Sequence, residues 1–135
     1  MTTAPPPWIP AEKLSPLDDK LGIRITDYDP ERMVATMPVE GNEQPYGLLH
    51  GGASCVLAET VGSVAAVLHG QTVGRTMAVG VDINATHHKA LRSGTVTAVA
   101  TPAHRGRSAA TYDILITDEG GARICTARLT CMLRG

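Results

Sequence analysis

Between Glu43 and Arg75 the chain carries a single Asp, Glu, Lys or Arg, Glu59. From Gly47 to Gly70 it is a proline-free run holding Leu49, Ala53, Val56, Leu57, Val61, Val64, Ala65 and Leu68. Apolar residues at these intervals predict one long helix. Such a helix is apolar nearly all round, so it has to be covered on most of its sides rather than lie on a surface.

The rest of the chain supplies the cover. Leu21, Ile23 and Ile25 alternate, Asp29-Pro30 marks a turn, and Met33, Ala35, Met37 and Val39 resume the alternation. After the helix come Met77-Val79-Val81-Ile83, Thr95 to Thr101, Thr111 to Thr117 and Ile124 to Leu133. All are β-branched or alternating, and Asp118-Glu119-Gly120-Gly121 joins the last two as a hairpin. Two strands, one helix and four strands define an α+β domain in which a curved antiparallel sheet wraps the helix. The edges and outer face of such a sheet favour pairing with another subunit.

A length of 135 residues suits a single domain, and the expected division is an N-terminal arm over 1–13 and the domain over 14–135. The arm holds Pro5, Pro6, Pro7 and Pro10, which favour an extended chain, and Trp8 could anchor it. At 43% hydrophobic, 19% charged and a formal net charge of -1, the composition is that of an ordinary soluble protein and gives no reason to expect nucleic acid as a partner. Trp8, Tyr28, Tyr46 and Tyr112 are the only aromatic residues, too few for a base-stacking platform. No uncharged run reaches the length of a membrane span, and the start lacks the features of a signal peptide, so a cytoplasmic protein is expected. Three cysteines without metal-ligand spacing read as reduced thiols, with Cys125 and Cys131 on one apolar strand face.

Glu59 is the strongest chemical signal. An unpaired carboxylate among apolar residues loses several kcal/mol of solvation, a cost that chains usually keep only for use. A water-facing helix position is the blander alternative. The neighbours at helical spacing, Gly52, Cys55, Val56, Gly62, Ser63 and Ala66, are mostly small and leave room for a ligand or a partner's helix. The helix opens with His50-Gly51-Gly52, whose amides lack intrahelical acceptors and could form an oxyanion hole. Gly51 precedes Glu59 by about 12 Å along the axis, so the two have to meet across a ligand.

From Ile83 to Tyr112 there is no acid, while Lys89, Arg92, Arg105 and Arg107 are present with His87, His88 and His104. A basic patch of this kind suits a phosphate-bearing small molecule; solvated strand ends explain it equally well. His87 and His88 are adjacent on a strand and face opposite ways, which does not suit a shared metal ion.

The run Gln44-Pro45-Tyr46-Gly47-Leu48-Leu49-His50-Gly51-Gly52-Ala53-Ser54, continuing through Leu57-Ala58-Glu59 to Gly62-Ser63, resembles the hotdog thioesterases of the phenylacetate-degradation and 4-hydroxybenzoyl-CoA type. The likeness extends through Gly80-Val81-Asp82-Ile83-Asn84-Ala85-Thr86-His87 and His104-Arg105-Gly106-Arg107, covering the chain from about Leu14. It implies a hotdog fold, six antiparallel strands around a central helix, with active sites at the interfaces of a homodimer and usually a homotetramer. It implies Glu59 as nucleophile or general base, the Gly51 amide as oxyanion donor, Gln44 and His50 orienting the carbonyl, and Ser63 positioning water or the carboxylate. Coenzyme A would be held across the interface by His87, His88, Lys89 and Ala90 and by His104, Arg105, Gly106, Arg107, Ser108 and Ala109, with Tyr46 and Gly80 at the acyl group.

Some relatives have Asp where this chain has Glu59, so the resemblance leans to the aroyl-CoA branch, with hydroxybenzoyl and 1,4-dihydroxy-2-naphthoyl thioesters as substrates. No metal or other cofactor is implied, coenzyme A being part of the substrate. An acyl carrier protein is a further partner that a basic rim would attract. The rival functions are a hotdog dehydratase acting on 3-hydroxyacyl thioesters and a non-catalytic acyl-CoA-binding module.

Overall fold

Ser15 accepts a hydrogen bond from Asp18 N on its side chain, Pro16 follows at the first helical position, and Gly22 closes the turn at φ 74°. These signals make a short helix, α1 (Pro16–Leu21), where strand alternation was expected to begin at Leu21. The computed structural model describes residues 4–7, 9 and 14–135. Trp8 and Pro10, which the expected arm relies on, lie outside them, whereas Ile9 packs against the core.

Six strands follow the expected order with longer bounds: β1 (Arg24–Asp29), β2 (Arg32–Pro38), then helix α2 (Gly51–Thr72), then β3 (Met77–His87), β4 (Thr95–Arg105), β5 (Ala109–Thr117) and β6 (Arg123–Arg134). They form one antiparallel sheet in the order β1-β2-β4-β5-β6-β3, so β1 and β3 are its edges. β4 runs past Pro102 because the ladder to β5 shifts register between Pro102 and His104, which removes the need for an amide donor there.

The inward faces are those the alternation marks. Met33, Ala35 and Met37 on β2, Val96, Ala98 and Ala100 on β4, Ala110, Tyr112, Ile114 and Ile116 on β5, and Leu129, Cys131 and Leu133 on β6 are buried against Leu57, Ala58, Val61 and Ala65 of α2. Gly62 lets the helix approach closely, since a Cβ there would stand 2.7 Å from Leu129 Cδ2. By length and composition α2 passes as a membrane span only if the charge of Glu59 is allowed within it. The sheet buries about half of the helix, and Cys55, Val56 and Val64 are only partly covered. Tyr112 is fully buried, with no partner for its hydroxyl among the described residues, and burial pushes its phenol up to about 12. Along β3, by contrast, Met77, Val79 and Val81 remain exposed.

Candidate active site

Asn42 ties the entry of the site together. Its buried side chain donates Nδ2 to the carbonyls of Leu21 (2.7 Å) and Pro38 (2.8 Å), while its own carbonyl accepts from His50 N (2.8 Å). The ends of α1 and β2 and the start of α2 are thus fixed to one residue, which sequence reasoning missed because an Asn after a Gly reads as an ordinary turn.

The loop beyond it is organised by Gln44. Oε1 accepts from Tyr46 N (2.6 Å) and Leu48 N (3.2 Å), which leaves the side-chain NH2 as the group free for a ligand. Tyr46 is 79% exposed and does not line the cleft that Gln44 borders.

His50 caps α2. Its Nδ1 accepts from Gly52 N (2.8 Å), which puts the proton of the neutral ring on Nε2, and its carbonyl accepts from Ala53 N (3.0 Å) and Ser54 N (3.3 Å). Of the four leading amides only that of Gly51 is uncommitted among the described residues. Instead of a set of open amides, the helix offers one.

Against Gly51 lies His87: a Cβ on Gly51 would stand 2.7 Å from its Nε2 and 3.0 Å from its Cδ2. Gln44, Leu48, Leu49, Gly51, Ser54, His87, His88, Lys89, Ala90 and Ile124 surround one cleft of about 290 Å3. The structure therefore brings together, within one chain, the proposed carbonyl-binding groups Gln44 and Gly51 and the whole segment His87 to Ala90. Ser54 and Ile124 were not foreseen. Neither is marked by charge or spacing.

Glu59 stands elsewhere, near the start of β3. Its Oε2 occupies the position that a side chain on Gly80 would take, and among the described residues it has no hydrogen bond or ion pair. Two thiols face the same region. Burial, and secondarily the charge of Glu59, pushes Cys55 up; burial also pushes Cys131 up, against a weaker lowering by Ser63, whose Oγ is 4.0 Å from Cys131 Sγ.

The segment His104 to Ala109 lies at the opposite end of α2. His69 Nε2 is 2.7 Å from the Gly106 carbonyl, Arg107 donates to the Val73 carbonyl (3.4 Å), and Arg75 Nε donates to the Arg107 carbonyl (3.1 Å). Between Gly51 and His69 the axis runs roughly 27 Å, so the two segments expected to hold coenzyme A do not converge within one chain.

The acid-free segment is also less basic in space than in sequence. Lys89 pairs with Asp118 (2.5 Å) and Arg105 with Glu31 (2.8 Å), acids supplied by the β5–β6 and β1–β2 turns. Arg92, bonded to the Tyr46 carbonyl (3.1 Å), and Arg107 have no acid partner among the described residues. His87 and His88 diverge as expected: His87 turns to Gly51, and His88 Nε2 lies 2.9 Å from Thr126 Oγ1.

A six-stranded antiparallel sheet wrapped round one long helix is the hotdog arrangement. The model of the thioesterase superfamily matches residues 46–125, and the chain belongs to that family. It is 46% identical over 121 residues to the esterase PA1618 of Pseudomonas aeruginosa, covering 89% of this chain and 83% of the relative. The crystal structure of a mutant of that protein, described as a thioesterase, superposes with a TM-score of 0.83 at 45% identity, over 87% of this chain and 85% of the other. The proofreading thioesterase EntH of Cronobacter turicensis is 44% identical over 129 residues, 93% of this chain and 90% of the relative. The PaaI protein from the phenylacetic acid degradation operon of E. coli has a TM-score of 0.80 at 25% identity, over 90% of this chain and 86% of that one.

Proposed function

We propose that the protein hydrolyses an acyl-CoA thioester, an aroyl-CoA such as a hydroxybenzoyl or 1,4-dihydroxy-2-naphthoyl ester, at a site completed by a second copy of the chain. One observation carries the reading: the free amide of Gly51 and the unpaired carboxylate of Glu59 sit eight residues apart on one helix, at opposite ends of β3. A carbonyl needs its oxyanion donor and its attacking group each within about 3–3.5 Å. Two groups separated by about 12 Å of helix cannot both meet it. A two-fold partner solves this, because in an isologous contact Gly51 of one copy faces Glu59 of the other and the reverse. The exposed apolar edge of β3 is the natural surface for such pairing.

In this site the thioester oxygen lies on the Gly51 amide, with the NH2 of Gln44 and Nε2–H of His50 as further donors. Glu59 of the other copy either attacks the carbonyl carbon, giving an anhydride that water opens, or takes a proton from the attacking water, with Ser63 beside it. In both routes the tetrahedral intermediate collapses with cleavage of the C–S bond, and the thiolate leaves and takes up a proton, yielding the free acid and coenzyme A. A thiolate is already a competent leaving group, so the route requires no metal. The same two-fold brings His87 to Ala90 of one copy toward His104 to Ala109 of the other, so that both segments can serve one nucleotide. Two such dimers forming a tetramer, and a cytoplasmic location, complete the reading.

Replacing Glu59 by Gln should lower kcat by roughly two to four orders of magnitude while binding of a CoA ester survives. Near-normal turnover would sink the assignment. Similarity to a proofreading thioesterase is a reason to assay beyond aroyl-CoA esters, and the basic rim is a reason to include an acyl-carrier-protein thioester.

A further inference from the structure

Gly80 lies on the edge strand β3 opposite Cys131, where the ladder shifts register before Asp82. A glycine inside a strand weakens it and often marks the close approach of another group. Here that group is the acid. A Cβ on Gly80 would collide with Oε2 of Glu59 and would stand 3.3 Å from its Cδ and 3.4 Å from Leu129 Cδ1. The thiols of Cys55 and Cys131 feel the charge of Glu59, and among the described residues the carboxylate has no hydrogen bond or salt bridge, Ser63 included. Nothing polar among the described residues holds the carboxylate in place. Its position is defined sterically, by the space the glycine leaves.

We propose that Gly80 is a positioning residue for the Glu59 carboxylate, the two forming a matched pair in which the missing side chain at 80 makes room for the longer acid at 59. This rests on the reading of Glu59 as the catalytic acid. Any side chain at 80 displaces the carboxylate rather than the backbone, because the atom it meets is the far end of a flexible chain. An aspartate at 59, shorter by one methylene, does not reach the contested space and is compatible with alanine at 80.

The test is a double-mutant cycle between Gly80→Ala and Glu59→Asp, read as kcat and KM for a CoA ester with thermal melting as the fold control. Gly80→Ala alone should keep its fold and lose about tenfold or more in kcat, since misplacement on the order of 1 Å can cost that much. In the Glu59→Asp background the same change should cost less than about threefold. A kcat within about twofold of the parent for Gly80→Ala, or an equal loss in both backgrounds, overturns the proposal. Should Gly80→Ala fail to fold, it is placed in Glu59→Ala: a folded product supports the collision, and an unfolded one assigns Gly80 to the backbone and overturns it. A Glu59→Gln protein that still turns over strikes the functional reading itself. An inactive Glu59→Gln beside a fully active Gly80→Ala strikes only the pairing.

Discussion

The imidazole of His87, at the end of β3, lies directly over Gly51, at the start of α2, so close that a Cβ on the glycine would stand 2.7 Å from Nε2. The open amide and the histidine thus share one wall of the cleft. Gly51→Ala keeps the amide but should push the ring away and crowd the carbonyl site, lowering kcat by roughly 10- to 100-fold, the scale of a misplacement on the order of 1 Å. Gly51→Ala combined with His87→Ala should recover part of the loss if the collision is its cause. Steady-state kinetics on the three variants separates collision from a direct backbone effect.

Asn42→Ala removes two hydrogen bonds and strands the carbonyls of Leu21 and Pro38. Unfolding in denaturant should show a loss of about 2–4 kcal/mol. Activity should fall further than stability explains, because the lost side-chain bonds fix the backbone whose carbonyl holds His50 N.

Lys89 is occupied at neutral pH. Its bond to Asp118 is the first cause holding that carboxyl below its ordinary value, helped by the amides of Ala122 and Gly120. With the folded value depressed, the pair is fully formed above the ordinary carboxylate range and is lost only as pH falls through the lower folded value. Asp118→Asn keeps an acceptor for the turn amides and frees the ammonium. KM for a CoA ester at low salt should drop about two- to threefold, and the gain should vanish at high ionic strength. An unchanged KM would exclude Lys89 from phosphate binding.

A two-fold that exchanges Gly51 with Glu59 returns the midpoint of that interval, Cys55, to itself. Two Cys55 side chains should therefore face each other across the helix pair, within the 8–10 Å of packed helices. A short bis-maleimide should give a covalent dimer that Cys55→Ser abolishes, since Cys125 and Cys131 are buried. Monomer alone, with Cys55 modified, would contradict the two-fold.

Tyr112 supplies an alkaline signature. Its folded value, raised to about 12, stabilises the fold fully below the unfolded value near 10, and this contribution is lost as pH rises through about 12. Burial raises Tyr28 as well, so absorbance titration should show the two buried tyrosines ionising late, with the ionisation of Tyr112 accompanied by unfolding.

The helix and the six strands were legible in the sequence because burial leaves a period of 3.6 or 2 in the apolar residues. Helix α1 was not. At six residues it is too short to show a period, and Leu17 is 51% exposed, so only Ser15, Pro16 and Gly22 mark it. In the site, Glu59 stood out as a charge missing its neighbours, and Gly51 as a small residue at a helix start. The pairing of Glu59 with Gly80, the neutralisation of Lys89 and Arg105 by Asp118 and Glu31, and the wide separation of His87 from Gly106 were hidden. Each depends on how distant segments are brought together by the sheet, which leaves no local pattern.

The single helix that carries both Gly51 and Glu59 also restricts how this chain can change length. One residue inserted between them would turn the acid about 100° around the axis and carry it off the shared face. On the proposed reading of Gly51 and Glu59, the eight-residue interval between them is the one length in this chain that the site itself fixes.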